Sequence, residues 1–333
     1  MELITRVEMP KTVTEINHSD KIMVLGSCFA QNMGEILSSK KIRCDINPFG
    51  ILYNPFSVLK ALKEIEENKT YCLNNLLFDG RLWHSWMHHS SFSSADAKEC
   101  CDNINKRINF AHENLHNLDY MIITWGSAYV YYLAELDEKI IVGNCHKQKD
   151  SMFKRARVDE NDIVDGYVEL VDRLREKNPN LKIILTVSPI RHIKDGLHGN
   201  QISKSILLLA AEKLCEKRDN IFYFPSYEIM MDELRDYRFY ADDMVHPSSL
   251  AIEYIWMKFS QTFFSSQTTK IIKEWECIEK ALNHRPFDST SPAHHKFLSQ
   301  IVLKINAIKE KYPYFEIKKE IEQCQAQLKT STN

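Results

Sequence analysis

Glycine is scarce in this sequence, nine residues in 333. The chain therefore reads as rich in helix, and each glycine marks a backbone position worth examining. Charge of one sign is equally lacking: 43 Lys and Arg stand against 45 Asp and Glu, a formal net charge of -2. No field of that size favours a polyanion, so nucleic acid is not an expected partner. No apolar run approaches the roughly 20 residues that a membrane helix needs. The first ten residues carry Glu2, Arg6 and Glu8 rather than the apolar centre of a signal peptide. A membrane is not an expected partner either, and the expected location is the cytoplasm. The nine cysteines are odd in number, run from Cys28 to Cys324 and form no CxxC pair. They read as reduced thiols rather than a disulfide framework or a zinc ribbon. Nothing in the composition fixes an oligomeric state.

Hydrophobic residues make up 44% of the chain, enough for one large domain or two small ones. Ile22-Met23-Val24-Leu25 is a short apolar run ending at Gly26, and Phe29, Met33, Ile36 and Leu37 then recur at helical spacing. The pattern is strand, tight turn, helix. Residues 119–124 and 182–187 read as two more buried strands with an amphipathic helix over 161–177 between them. A weaker strand is expected over 43–46, a helix over 202–215, a strand over 221–224 and a closing helix over 250–263. Buried strands alternating with helices indicate a parallel sheet covered on both faces. Two insertions read as hairpins, one turning at Asp79-Gly80 and one over 129–142 around Asp137-Glu138. Beyond residue 265 the pattern becomes helical, with helices over 275–282 and 297–311 joined through Arg285-Pro286 and Ser291-Pro292, then a charged tail. The expected division is residues 1–265 for the α/β domain and 266–333 for a helical extension packed on it.

Ser27 follows the first strand directly in Gly26-Ser27-Cys28-Phe29-Ala30. That is the carboxyl edge of a parallel sheet, where ligands bind, and the free N–H groups of a helix start are there to meet an oxyanion. Ser27 is thus a candidate nucleophile, with helix capping as the competing use. Near the end of the α/β region comes Asp242-Asp243-Met244-Val245-His246-Pro247-Ser248. A carboxylate three residues before a histidine can accept from its Nδ1–H and turn Nε2 toward a serine.

Gly26-Ser27-Cys28-Phe29-Ala30 resembles the signature that names the GSCFA family, which is similar to the SGNH or GDSL-like hydrolases. Asn47-Pro48-Phe49-Gly50-Ile51, Asn144-Cys145-His146-Lys147 and Ser188-Pro189-Ile190-Arg191-His192 also resemble GSCFA segments, so the resemblance spans about residues 20–310. It implies a three-layer α/β/α sandwich with a mainly parallel, five-stranded, flavodoxin-like sheet, and a Ser, Asp, His triad. Carried over by position, Ser27 is the nucleophile, His246 the general base and Asp243 its orienting partner. The resemblance further implies an oxyanion hole with three donors. Ser27 N–H and Gly50 N–H match two of them. The third is an asparagine in the related enzymes, but Ala128 stands there, leaving the Ser127 hydroxyl and the Asn144 amide as substitutes.

Cys28, one residue into the helix, is the competing nucleophile. His84, His88, His89, His146 and His192 lack ligand spacing, and no metal is expected. Arg191 and His192 follow the fourth strand and are candidate substrate contacts, as are Asn47 and His146. For Arg191 the alternative is a salt bridge to Asp195. Lys147, Arg155 and Arg157 read first as a solvated basic face, with substrate contact as the alternative. Trp83, Trp86 and Trp125 are either core or a sugar platform. The function expected is a cofactor-free serine esterase that removes a short acyl group from an O-acetylated carbohydrate or other polyol. The alternatives are an acyltransferase using the same triad and a binding module that has kept the fold without turnover.

Overall fold

In the computed structural model, which describes residues 4–10, 14–134, 139–284, 287 and 291–330, the first apolar run forms β1 (Lys21–Gly26) and the helical spacing behind it forms α1 (Cys28–Ser39). There follow β2 (Arg43–Ile46), α2 (Pro55–Glu66), β3 (Leu76–Phe78), β4 (Trp83–Ser85), α3 (Ala97–Leu115) and β5 (Tyr120–Trp125). Next come β6 (Tyr129–Leu133), β7 (Ile141–Val142), β8 (Phe153–Arg157), α4 (Glu160–Lys177), β9 (Lys182–Val187) and α5 (Gly196–Lys217). The α/β part closes with β10 (Ile221–Phe224), the short α6 (Ser226–Glu228), which runs on as one π-helical turn (Ile229–Glu233), and α7 (Ser249–Phe263).

Five strands form one sheet in the order β10-β9-β5-β1-β2. The pairs β1/β5, β5/β9 and β9/β10 are parallel, and the order is the flavodoxin-like one that the family resemblance implies. Because a parallel sheet needs cover on both sides, its strands carry apolar side chains on both. Met23, Leu25, Met121, Ile123, Ile183 and Leu185 share a core with Leu62 of α2, Ile104 of α3, Leu170 of α4 and Leu207 of α5. The alternate residues Val24, Ile122 and Ile184 are buried as well. On their side Phe224 meets Phe259 of α7 edge-on, with ring centroids 5.2 Å apart. Each such side chain contributes about 1.5–3 kcal/mol by leaving water. The helices begin where short polar side chains take up free N–H groups: Asn54 accepts from Ser57 at the start of α2, and Asp159 from Asn161 at the start of α4.

The expected first hairpin is β3/β4, with Phe78 opposite Trp83. Its turn is closed by Asp79, whose Oδ1 accepts from the N–H of both Arg81 and Leu82 at 2.8 Å. In the second insertion β6 pairs antiparallel with β7, Tyr131 opposite Val142, while the Asp137-Glu138 turn lies outside the described residues. β8 joins the other edge of β6, with Tyr131 opposite Arg155. Phe153-Lys154-Arg155-Ala156-Arg157 shows no apolar alternation, and Arg155 and Arg157, expected first as part of a solvated basic face, lie on this strand.

Residues 14–20, 36–43 and 263–333 form a compact unit of their own, a different division from a single cut at residue 265. It contains α8 (Ser266–Leu282), α9 (Pro292–Lys311) and α10 (Lys318–Thr330), so the expected charged tail is a helix. The unit has its own core, built on Trp275, Ile301, Ile305, Phe315 and Cys324. Trp275 Nε1 donates to the Ser39 carbonyl at 2.8 Å, and Lys40 and Lys41 pair with Glu279 and Glu320 at 2.7 and 2.6 Å.

Two backbone constraints position the sheet edge. Gly26 ends β1 at φ +132°, and a Cβ there would lie 2.0 Å from the Thr124 carbonyl oxygen of β5. Lys204 of α5 is fully buried, and its Nζ donates to the carbonyls of Gly126 and Ser188 at 2.7 Å each. It ties together the segments leaving β5 and β9. Gly26→Ala is expected to cost about 3–5 kcal/mol, through a clash with rigid backbone at a φ that alanine avoids. Urea unfolding measures it, and a midpoint equal to that of the wild type would exclude so tight an approach. Burial lowers the Lys204 ammonium from 10.5 to about 7. Between those values the unfolded chain holds the proton and the folded chain does not. This site's contribution to stability therefore rises with pH across that window, by up to about 1.4 kcal/mol per pH unit, and is flat below it. Lys204→Met should abolish that part of the rise. Unfolding free energies of the two proteins at about pH 6 and 9 test this, and a constant difference between them would count against the burial.

Candidate active site

A cavity of about 420 Å³ opens at the carboxyl edge of the sheet and is lined by residues from the segments after β1, β5 and β9, among them Ser27, Ser127, Ile190, Arg191 and His192. Tyr53 and Asn54 before α2, Tyr129 and Tyr131 of β6, Asn144 and Cys145 after β7, Arg155 of β8 and His246 before α7 complete most of its wall. The cavity belongs wholly to the α/β unit. Ser27 is placed there by the glycine turn. Asn47 Oδ1 accepts the Gly26 N–H at 2.9 Å, and the carbonyl of Gly26 accepts from Leu52 N–H at 2.9 Å. The chain thus leaves β1 held on both sides and enters α1 at Cys28. Ser27 is almost fully buried. Its hydroxyl accepts a long 3.3 Å bond from Phe29 N–H, so the capping use and the cavity position coexist.

The Asp243–His246 segment makes its own hydrogen-bonded turn. Asp243 Oδ1 accepts from the N–H of Val245 and of His246, each at 2.9 Å, and Oδ2 lies 2.6 Å from His246 Nδ1. Met244 takes up the turn at φ +57°. The backbone N–H of His246, that of Val245 and the imidazole together hold the Asp243 carboxyl down to about 2. It is ionised throughout the neutral range and fixes the proton of His246 on Nδ1, leaving Nε2 as an acceptor.

Other groups in the wall are unusual in their partners. His192 Nε2 is buried with no hydrogen-bond partner among the described residues. Burial, and then Lys204, push the His192 imidazole down to about 4, so it is neutral near pH 7. A Cβ on Gly126 would lie 3.1 Å from His192 Nε2 and 3.5 Å from Ser27 Cβ, so a side chain there would crowd the imidazole. Cys28 also lines the cavity, with Sγ 3.6 Å from the Tyr53 hydroxyl. Burial, and then Cys28, raise the Tyr53 phenol above its ordinary range. Arg155 pairs with the buried carboxylate of Asp195 and lies over the Tyr129 ring, 3.9 Å from its centroid. Asp195 is therefore not the partner of Arg191. The Arg191 guanidinium lies instead over Tyr240 at 4.0 Å and Tyr237 at 5.3 Å.

Several residues singled out in the sequence are not brought to the cavity. Asn47 braces the β1–α1 turn and donates to Gln31. Gly50 N–H is taken by the Asn47 carbonyl at 2.7 Å, and Gly50 packs against His89. The N–H of Ser27 itself donates to the Thr124 carbonyl at 3.2 Å. Both backbone donors assigned to an oxyanion hole are thus engaged, and Ala128 is wholly buried outside the wall. His146 binds the Ser85 carbonyl and the Ser90 hydroxyl, and its ring lies 4.3 Å from that of His84. His84 pairs with Asp79, and His88 with Ser85. Among the described residues no group of three or more His, Cys, Asp or Glu could hold a metal ion. Trp125 is core, donating to Tyr167 at 3.0 Å, and Trp83 and Trp86 are absent from the wall. The aromatic lining is tyrosine: Tyr53, Tyr129 and Tyr131. Alternation along β6 carried that signal, because Tyr129 and Tyr131 share one face of the strand.

Asn144 and Ser127 remain as donors in the wall. Asn144 Oδ1 accepts from His146 N–H at 2.9 Å, which orients the amide and leaves Nδ2 to donate. Ser127 accepts from Tyr129 N–H at 3.2 Å, and its hydroxyl lies 3.4 Å from that of Ser203, where either can donate; with Ser203 donating, the Ser127 proton is left to offer.

No protein of curated function matches this sequence. Among solved structures, a Clostridium thermocellum family 3 carbohydrate esterase is similar at 11% identity and a TM-score of 0.35, over 77% of this chain and 98% of that one. An acetyl xylan esterase from the rumen bacterium Butyrivibrio proteoclasticus is similar at 12% identity and a TM-score of 0.35, over 74% of this chain and 63% of that one. The GSCFA family matches residues 21–259, and the C-terminal domain of GSCFA domain proteins matches residues 275–330. With its glycine turn, its serine at the sheet edge and the DxxH turn facing the same cavity all inside the first match, the chain belongs to the GSCFA family.

Proposed function

We propose that the protein is a serine-dependent ester hydrolase that removes a short acyl group, such as acetyl, from a carbohydrate or related polyol. The observation that carries this reading is that His246, whose Nδ1 lies 2.6 Å from Asp243 Oδ2, lines the same cavity as Ser27. His246 Nε2 takes the Ser27 proton as Oγ bonds to the ester carbonyl carbon. The tetrahedral oxyanion is met by Asn144 Nδ2 and the Ser127 hydroxyl, because Ser27 N–H and Gly50 N–H already have carbonyl partners. Collapse expels the alcohol, which leaves with the proton held on His246. A water then gives its proton to His246, attacks the acyl-enzyme and releases the carboxylic acid, and Ser27 recovers its proton. No step uses a cofactor. The nine cysteines are free thiols, which suits the reducing cytoplasm we propose as its location.

The engaged Ser27 and Gly50 N–H groups favour a second reading, a ligand-binding module without turnover. The two separate on a panel of acetylated sugars with p-nitrophenyl acetate as a simple ester. As an esterase, Ser27→Ala and His246→Ala lose at least about 1000-fold in kcat, Asn144→Ala loses about 100- to 1000-fold, and Cys28→Ala retains turnover. A serine-directed organophosphonate should label the wild type and leave Ser27→Ala untouched. An unlabelled wild type that still binds saccharide would establish the module instead.

The depressed Asp243 carboxyl gives a pH expectation. Its pKa of about 2 lies below its ordinary value, so the support it lends His246 is complete above the ordinary carboxyl range and is lost only as pH falls toward 2. Between about pH 4 and 9 no inflection in kcat/KM belongs to Asp243. Asp243→Asn should lower kcat/KM across the whole range. An acidic limb that vanishes in that variant would assign the limb to Asp243 and break the expectation.

A further inference from the structure

We infer that the ester this site accepts carries an anionic group, a carboxylate or a phosphate, and that Arg191 is its receptor; the inference rests on the esterase reading for the reaction. The cavity wall presents Arg155, Arg191 and Lys194 against the single carboxylate of Asp195, in a chain whose formal net charge is -2. Asp195 is spent on Arg155. Lys194 is exposed at the rim. Arg191 is the cation that is both held in place and left without a counter-ion. Its backbone N–H donates to the Val245 carbonyl at 3.2 Å, which fixes it beside the DxxH turn, and its guanidinium lies 4.0 Å from the Tyr240 ring centroid. Among the described residues no carboxylate lies within salt-bridge distance of it. The Tyr237 and Tyr240 side chains also hydrogen-bond the guanidinium, and its remaining N–H groups can meet a carboxylate or phosphate, whose paired oxygens match the planar fork.

Position supplies the second observation. Arg191 lines the 420 Å³ cavity and also an adjoining cavity of about 320 Å³, whose wall includes Tyr237, Tyr240, Arg235 and residues of the π-helical turn 229–233. π-Helical turns are frequent at functional sites. The acidic groups in that second wall are Asp232 and Asp236. Asp236 pairs with Arg238 at 3.0 Å, and Arg235 stands with Asp232 in the wall. The junction of the two cavities is thus marked by a cation. A substrate with its acyl ester at Ser27 and its anion at Arg191 would run from the first cavity toward the second.

The test compares three acetyl esters, of glucose, of glucuronate and of glucose phosphate, with wild type, Arg191→Gln and Arg191→Lys. The readout is the ratio of kcat/KM for each anionic ester to that for the neutral one. In the wild type this ratio should be about 10 to 100, as for a charge-assisted pair. It should collapse toward one in Arg191→Gln and keep part of its value in Arg191→Lys. Whichever anionic ester shows the larger ratio identifies carboxylate or phosphate as the anion. Direct binding separates this inference from the esterase reading: glucuronate and inorganic phosphate are titrated into Ser27→Ala and into the Ser27→Ala, Arg191→Gln double variant. Weaker anion binding in the double variant, with thermal midpoints unchanged, supports the receptor even if no ester is turned over. Equal ratios in wild type and Arg191→Gln, or equal anion binding by the two Ser27→Ala proteins, would overturn it while leaving Ser27-dependent hydrolysis intact.

Discussion

The contact between Gly26 and the Thr124 carbonyl sets the candidate site. A Cβ at Gly26 would stand 2.0 Å from that oxygen, so β1 approaches β5 more closely at its exit than any other residue type permits, and the chain can turn there into α1. The same approach lets Ser27 N–H reach the Thr124 carbonyl at 3.2 Å. One close contact therefore brings the serine to the sheet edge and also consumes its backbone donor. The segment 47–54 that crosses the edge behaves alike: Asn47 N–H and Leu52 N–H bind the carbonyls of Val24 and Gly26, and the Tyr53 carbonyl takes the N–H groups of Gly126 and Ser127 at 2.7 and 2.9 Å. The edge of the sheet is sealed by backbone hydrogen bonds, and chemistry there has to be done by side chains.

Electrostatics follow from that sealing. Asp243 is exposed, yet two backbone N–H groups and an imidazole converge on it. It therefore keeps its charge, and orients His246, without burial. His192 presents the opposite arrangement: buried, beside Lys204 and without a carboxylate of its own, it stays neutral. The two imidazoles that line one cavity thus differ in their partners. Only His246 has the carboxylate that a general base needs to stabilise the proton it gains. His192, at the space kept open by Gly126 next to Ser27, shapes the cavity rather than carrying charge into it.

The sheet was legible in the sequence because parallel strands buried on both faces leave unbroken apolar runs, and 21–26, 120–125 and 182–187 are such runs. The serine and the DxxH turn were legible because each depends on neighbours within three residues. Contacts made through space were not. Gly50 looked like an oxyanion donor because it follows the second strand, but the left-handed turn at Asn47 (φ +43°) closes a hydrogen bond onto its N–H. Asn47 and His146 were candidate substrate contacts because they lie in segments that resemble GSCFA ones, yet each completes a bond to backbone distant in sequence. β8 was missed because its face is set by Tyr129 and Tyr131 across the ladder, which bring an aromatic ring to within 3.9 Å of the Arg155 guanidinium.

Net charge shows the same limit at a larger scale. A balance of 43 basic and 45 acidic residues predicts nothing about local potential, since folding decides which charges meet. Arg155, Arg191 and Lys194 reach one cavity from the strand β8 and the segment after β9, while the surface carboxylates Asp172 and Glu169 pair with Arg218 and Arg173 elsewhere. Exposed pairs of that kind contribute at most about 1 kcal/mol, because water screens them. The same charges inside a walled cavity act over a shorter effective distance and with less screening, so a single unpaired guanidinium there outweighs many paired ones outside. An arginine held against two tyrosine rings is already ordered before any ligand arrives, so it loses less freedom on binding than a flexible lysine would.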